Sequence, residues 1–87
     1  MLKNIWKPFS IFNATYAEQA DTFLIHMNEN EFVLYDYFTI KQYEENKIVL
    51  ATKQKTIEIN GSRLLITKIT VNSIYITGQI HYVAYDS

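Results

Sequence analysis

The side chains able to do chemistry are few and scattered. His26 and His81 are the only imidazoles in the 87-residue chain. A zinc centre needs three or four ligands at recognisable spacing, and here a third ligand, Glu58 or Asp36, would have to be supplied by the fold. Each histidine lies among apolar residues in a strand-like run, which turns it to solvent or to a sheet rim. Glu44-Glu45 is a carboxylate pair in sequence. Neighbours on a strand point to opposite faces, and neighbours in a turn are both solvated, so general acid and base roles do not follow. Ser10, Ser62, Ser73 and Ser87 lack the strand-turn-helix setting of an activated nucleophile, and no glycine-rich phosphate loop occurs. Cysteine is absent, which excludes disulfides and thiolate metal sites. The expectation is a protein with no catalytic residues, no metal and no cofactor: not an enzyme.

Tyrosine is the remaining resource. The chain holds seven, and Tyr35, Tyr37, Tyr43 and Tyr75 fall where a sheet could expose them. Exposed rings serve either as a base-stacking platform of the oligonucleotide-binding barrel type or as anchors for a protein partner, because tyrosine offers large contact area at low entropic cost. Nucleic-acid binders normally carry a basic excess. Here eight basic side chains face nine acidic ones, for a net charge of −1. The tyrosines are therefore read as core and interface packing, with Tyr35, Tyr37, Tyr43 and Tyr75 as an interaction surface and no nucleic acid as partner. A small ligand- or oligonucleotide-binding β-barrel module is the alternative.

The elements that would position these rings are strands. From Lys47 to Tyr85 the chain reads KIVLATKQKTIEINGSRLLITKITVNSIYITGQIHYVAY, in which Ile, Val, Leu and Tyr recur at short spacing between turn residues. Upstream, strands are expected from Phe23 to Met27, Glu31 to Tyr35 and Phe38 to Tyr43, with turns at Asn28-Glu29-Asn30, Asp36-Tyr37 and Glu44-Glu45-Asn46. Lys47 to Thr52 and Thr56 to Ile59 follow. Asn60-Gly61 is the strongest hairpin signal, suited to a type I′ turn. It predicts a return strand from Arg63 to Thr70, then a turn at Asn72-Ser73 and a last strand from Ile74 to Tyr85. Side-chain parity slips twice: a bulge near Thr67-Lys68 would bring Leu64, Ile66 and Ile69 onto one core, and another near His81-Tyr82 would reconcile Ile80 with Val83 and Tyr85. Gly78 interrupts the last strand, as at a kink or crossing between two sheets. Seven short antiparallel strands predict an all-β β-sandwich or small barrel.

Residues 1 to 21 differ in character from this domain of residues 22 to 87. Ile5, Trp6, Phe9, Ile11 and Phe12 crowd the start, Pro8 breaks any helix there, and Ala14 to Ala20 supports at most a short helix. The expectation is an irregular arm whose apolar residues dock on the domain, on a second copy or on a membrane surface, with docking on protein the favoured reading. No run reaches the ~18–20 apolar residues of a membrane span, and the start lacks the apolar region and cleavage site of a secretory signal. A cytoplasmic protein is expected. Edge strands with little protection predict association through an edge, as a homo-oligomer or with a partner.

From Thr22 to Asp86 the chain resembles the YabP/YqfC family of small sporulation proteins of endospore-forming bacteria, the YqfC branch in particular. The resemblance rests on K-T-I-E-I-N-G (Lys55 to Gly61), L-L-I-T-K-I (Leu64 to Ile69) and I-Y-I-T-G-Q-I-H-Y-V-A-Y (Ile74 to Tyr85). One stretch departs from the pattern: where the family often has E-N-H and a glycine near the second turn, this chain has Tyr35-Asp36-Tyr37-Phe38-Thr39. The resemblance implies a β-sandwich with an immunoglobulin-like look, no catalytic residues, and a role in spore coat or cortex assembly. The YqfC branch is associated with a neighbouring membrane protein, YqfD. A membrane protein of the sporulation programme is thus the implied partner, and the periphery of a developing-spore membrane the implied location.

Overall fold

The computed structural model describes residues 4–6, 15–18, 23–36, 38–53 and 55–86. Every regular element among them is a β-strand: β1 (Asn4–Trp6), β2 (Thr15–Glu18), β3 (Phe23–Asn28), β4 (Glu31–Tyr35), β5 (Thr39–Glu44), β6 (Lys47–Ala51), β7 (Thr56–Thr70) and β8 (Ser73–Asp86). All pairings are antiparallel, in the order β2-β3-β4-β8-β7-β6-β5, with β1 also on β8. The all-β antiparallel class read from the sequence is the class of the fold.

The strand count differs in two places. Asn60-Gly61 makes no hairpin. β7 runs through it as a single strand of 15 residues, with Asn60 paired to Lys47 on one side and Tyr82 on the other. Dipeptide turn chemistry is a local preference, and here non-local pairing on both flanks overrides it. In the arm, the short helix weighed for Ala14 to Ala20 is instead a strand over Thr15–Glu18, paired with β3. Asn4–Trp6 pairs with Val83 to Tyr85 of β8. At these residues the arm is not irregular but belongs to the sheet, where an extended backbone finds its hydrogen bonds on open edges.

Two layers arise from this one sheet because its longest strands bend. The first half of β8 (Ser73 to Thr77) lies between β4 and the second half of β7; the last part of β8 (Val83 to Tyr85) lies between β1 and the first half of β7. β7 and β8 therefore pass through both layers, unlike the strands of two separate sheets. Their inner faces meet in one core. Ile25, Met27, Phe32, Leu34, Ile74 and Ile76 come from the first layer, and Ile48, Leu50, Ile57, Ile59, Val83 and Tyr85 from the second. Each fully buried Ile, Leu or Phe contributes roughly 1.5–3 kcal/mol.

Both glycines sit at the bend. A Cβ on Gly61 would lie 2.0 Å from the Gln79 carbonyl oxygen, and one on Gly78 would lie 2.6 Å from that of Arg63. Gly78 has φ +137° and Arg63 has φ +55°. β7 and β8 thus cross backbone against backbone, and only glycine permits that approach. Two turns brace the crossing. The Gly78 and Ile80 N–H groups donate to Asn30 and Glu29 carbonyls at 3.2 and 2.9 Å; the Gly61 and Leu64 N–H groups donate to Asn46 and Glu45 carbonyls at 3.1 and 2.7 Å. Gly78 marks the kink expected of it, whereas Gly61 serves the crossing and not a turn.

The parity slips resolve as bulges. Thr67 is the extra residue between the Ile66–Ile76 and Lys68–Tyr75 pairs, and His81 the extra residue between Ile80 and Tyr82. The first bulge does turn Ile69 to the face of Ile74. Ile69 nevertheless stays 54% exposed, because it lies at a sheet edge that the opposite layer does not cover. The β3–β4 turn falls at Glu29-Asn30, where the Asn30 N–H donates to the Asn28 side chain at 2.8 Å. The β7–β8 turn is at Val71-Asn72, one residue earlier than expected. Ser73 is already strand, buried and hydrogen-bonded to the Thr70 hydroxyl.

Candidate interaction surface

The outer face of the first layer carries a pair of packed rings, exposed Tyr35 and half-buried Tyr75. Phe32 and Leu34 of β4 point into the core, so alternation sends Tyr35 outward. On β8, Ile74 and Ile76 point inward and Tyr75 outward. The register sets Tyr75 opposite Val33 and Ser73 opposite Tyr35, which makes Tyr35 and Tyr75 diagonal neighbours. Their ring centroids are 6.2 Å apart and nearly perpendicular at 82°, the edge-to-face arrangement that the ring quadrupole favours. The bulge at Thr67 turns Lys68 to the same face, and its Nζ lies 5.1 Å from the Tyr75 ring centroid. Tyr35 is 40% exposed. Its hydrogen bond with Tyr75 holds its hydroxyl above the ordinary phenol range, helped by partial burial and by the charges of Tyr75 and Glu31.

The other two tyrosines fall elsewhere. Tyr43 is on β5, opposite the core residue Ile48, and its hydroxyl accepts the Ile66 N–H at 3.0 Å. It therefore stands on the far side of β7 from Tyr75. Tyr37 lies outside the described residues. The arrangement unites Tyr35, Tyr75 and Lys68 on one face. Lys68 had no place among the candidates, although the parity slip beside it was the signal that could have found it.

The polar candidates do not assemble. Glu44 and Glu45 are both exposed. They lie with Tyr43, Arg63, Leu64 and Leu65 around a shallow depression of about 470 Å³. Exposed His81 shares a second depression, of about 480 Å³, with Glu29, Asn30 and Gln79. His26 is half-buried on β3, and Asp36 follows β4. Among the described residues no three His, Cys, Asp or Glu side chains are grouped to hold a metal ion. Glu58 instead approaches Lys47 across the β6–β7 pair at 3.9 Å. Ser62 is half-buried in β7, and Ser10 and Ser87 lie outside the described residues. No helix among those residues is long and apolar enough to cross a membrane.

No curated protein and no solved structure matches the chain. The model of the YabP family matches residues 18–87, a span that takes in β3 to β8, both crossing glycines and the Tyr35–Tyr75–Lys68 cluster. The chain belongs to the YabP family and is a sporulation-related protein.

Proposed function

We propose that this protein works without catalysis, as a protein-interaction domain in formation of the spore envelope, coat or cortex. The observation that carries the reading is the pair of exposed Tyr35 and half-buried Tyr75, with Lys68 over the Tyr75 ring. Two mutually braced rings present apolar area with little entropy left to lose on binding, and their hydroxyls and the ammonium supply polar contacts at the rim. Membership of the YabP family, a sporulation-related family, supports reading that surface as one used in sporulation. Within the family we assign the chain to the YqfC branch, on Lys55 to Gly61, Leu64 to Ile69 and Ile74 to Tyr85. The partner that follows is a membrane protein of the sporulation programme akin to YqfD. The domain would then act from the cytoplasm at the periphery of a developing-spore membrane.

The test is a strain carrying Tyr35→Ala with Tyr75→Ala at the native locus, compared with a deletion and with the parent. The reading expects heat-resistant spores to fall towards the deletion level, normal vegetative growth, and loss of a crosslink to a membrane protein at mid-sporulation. The purified double variant should retain its far-UV spectrum. Parental spore counts and an unchanged crosslink would refute the surface; parental counts in the deletion strain would refute the role.

A further inference from the structure

The second half of β7 is an open edge. Leu65 to Thr70 pairs with β8 on one side, while β6 reaches only Thr56 to Asn60. No strand borders Leu65 to Thr70 on the other side among the described residues. The Ile66 N–H goes to a side chain, the Tyr43 hydroxyl, where a strand would otherwise meet it. Leu65 and Ile69, each 54% exposed, lie along this edge, and Val71 at its end is 86% exposed.

Edge strands are usually kept apart by charge, bulges or brevity. The other edges show those devices: β5 has a register break at Lys41 and carries Lys41 and Glu44, and β1 and β2 have three and four residues. At the β7 edge the one charged residue, Lys68, is drawn back over the Tyr75 ring and does not guard the strand. The Thr67 bulge is the remaining device. Its effect is to put Ile66 and Ile69 on the same face, opposite Ile76 and Ile74.

We infer that this edge takes a second copy of the chain, β7 pairing antiparallel with β7 about a two-fold axis between Thr67 and Lys68. An isologous contact must be self-complementary, and this segment is. Reversed upon itself, Leu65-Ile66-Thr67-Lys68-Ile69-Thr70 sets Ile66 against Ile69 twice, Leu65 against Thr70 twice, and Thr67 against Lys68 twice. No charge meets its like directly, and the isoleucine pairs extend the inner apolar layer of each copy into the other. The Tyr43 hydroxyl yields the Ile66 N–H to the incoming strand. The inference does not depend on the proposed function.

Sedimentation equilibrium of the full chain over a dilution series tests it, with amide exchange on the same samples. The expected mass at high concentration is twice the 10.3 kDa of the chain, falling to one chain on dilution. Exchange at Leu65 to Thr70 slows as concentration rises. Ile69→Lys sets a lysine into each isoleucine pair and raises the dissociation constant by about tenfold or more. Val71→Lys, in the turn beyond the pairing, leaves it unchanged. A monomer at every concentration would overturn the inference. So would a dimer that survives Ile69→Lys, assembly beyond two chains, or exchange at Leu65 to Thr70 that ignores concentration. If Ile69→Lys loses the exchange protection of β6, it has failed to fold, and the parent's exchange profile decides.

Discussion

Replacing Gly78 by alanine is the sharpest probe of the crossing that shapes this fold. The added Cβ would stand 2.6 Å from the Arg63 carbonyl oxygen and 3.0 Å from the Leu64 Cα. Both are backbone atoms of the strand being crossed, so no side-chain rotation relieves the contact. Gly78 also holds φ +137°, a region that strains any L-residue by about 1–3 kcal/mol. Forcing an extra carbon into a packed site costs a further ~1–3 kcal/mol. Together these remove ~2–6 kcal/mol, and valine should cost at least as much. A domain of this length has roughly 4–13 kcal/mol in all. The assay is urea unfolding followed by tryptophan fluorescence and far-UV dichroism, with thermal melts alongside. At about 4–8 °C per kcal/mol, the midpoint should fall by at least ~8 °C. Gly61→Ala, whose Cβ would lie 2.0 Å from the Gln79 carbonyl oxygen, should behave alike. The double variant should lose less than the two losses added, because both changes part the same two strands. A Gly78→Ala midpoint within about 2 °C of the parent would refute the crossing as the reason for the glycine.

Other outcomes follow from single contacts. Because Tyr35 ionises at higher pH when folded than when unfolded, its contribution to stability is complete below the unfolded phenol pKa of about 10 and is lost as pH rises through the folded value. Tyr75→Phe should lower the Tyr35 titration towards the ordinary range, read as phenolate absorbance; an unmoved titration would contradict the hydrogen bond as its main cause. Removing residues 1 to 20 should leave a folded β domain, since the core cluster runs from Ile25 to Tyr85. The same deletion uncovers edges of β3 and β8, so it should associate more readily by light scattering, and a far-UV spectrum of disordered chain would refute it. Lys47→Ala should change stability by less than about 1 kcal/mol in urea unfolding, as expected of a long, part-exposed ion pair.

Much of this architecture is legible along the chain because strand character is local. Alternation at Ile57 and Ile59, at Ile48 and Leu50, and at Ile74 and Ile76 names the buried face without knowledge of any neighbour, and each of these residues is buried. The parity slips at Thr67 and His81 likewise announce bulges. What tertiary structure alone decides is which distant backbone each residue meets. Asn60-Gly61 carries the chemistry of a turn, yet Gly61 is a glycine because Gln79 lies against it, and no window of sequence contains both. Thr15–Glu18 has modest helix propensity but lies beside an open edge of β3, whose unmade hydrogen bonds outweigh that preference. The tyrosines show the same division. Alternation predicts that Tyr35 and Tyr75 leave the core, but only the β4–β8 register makes them neighbours, and only the strand order β8-β7-β6-β5 sets Tyr43 on the other side of β7. Ile69 obeys its bulge and is still exposed, because burial depends on what the other layer covers, and the layers end where the sheet does.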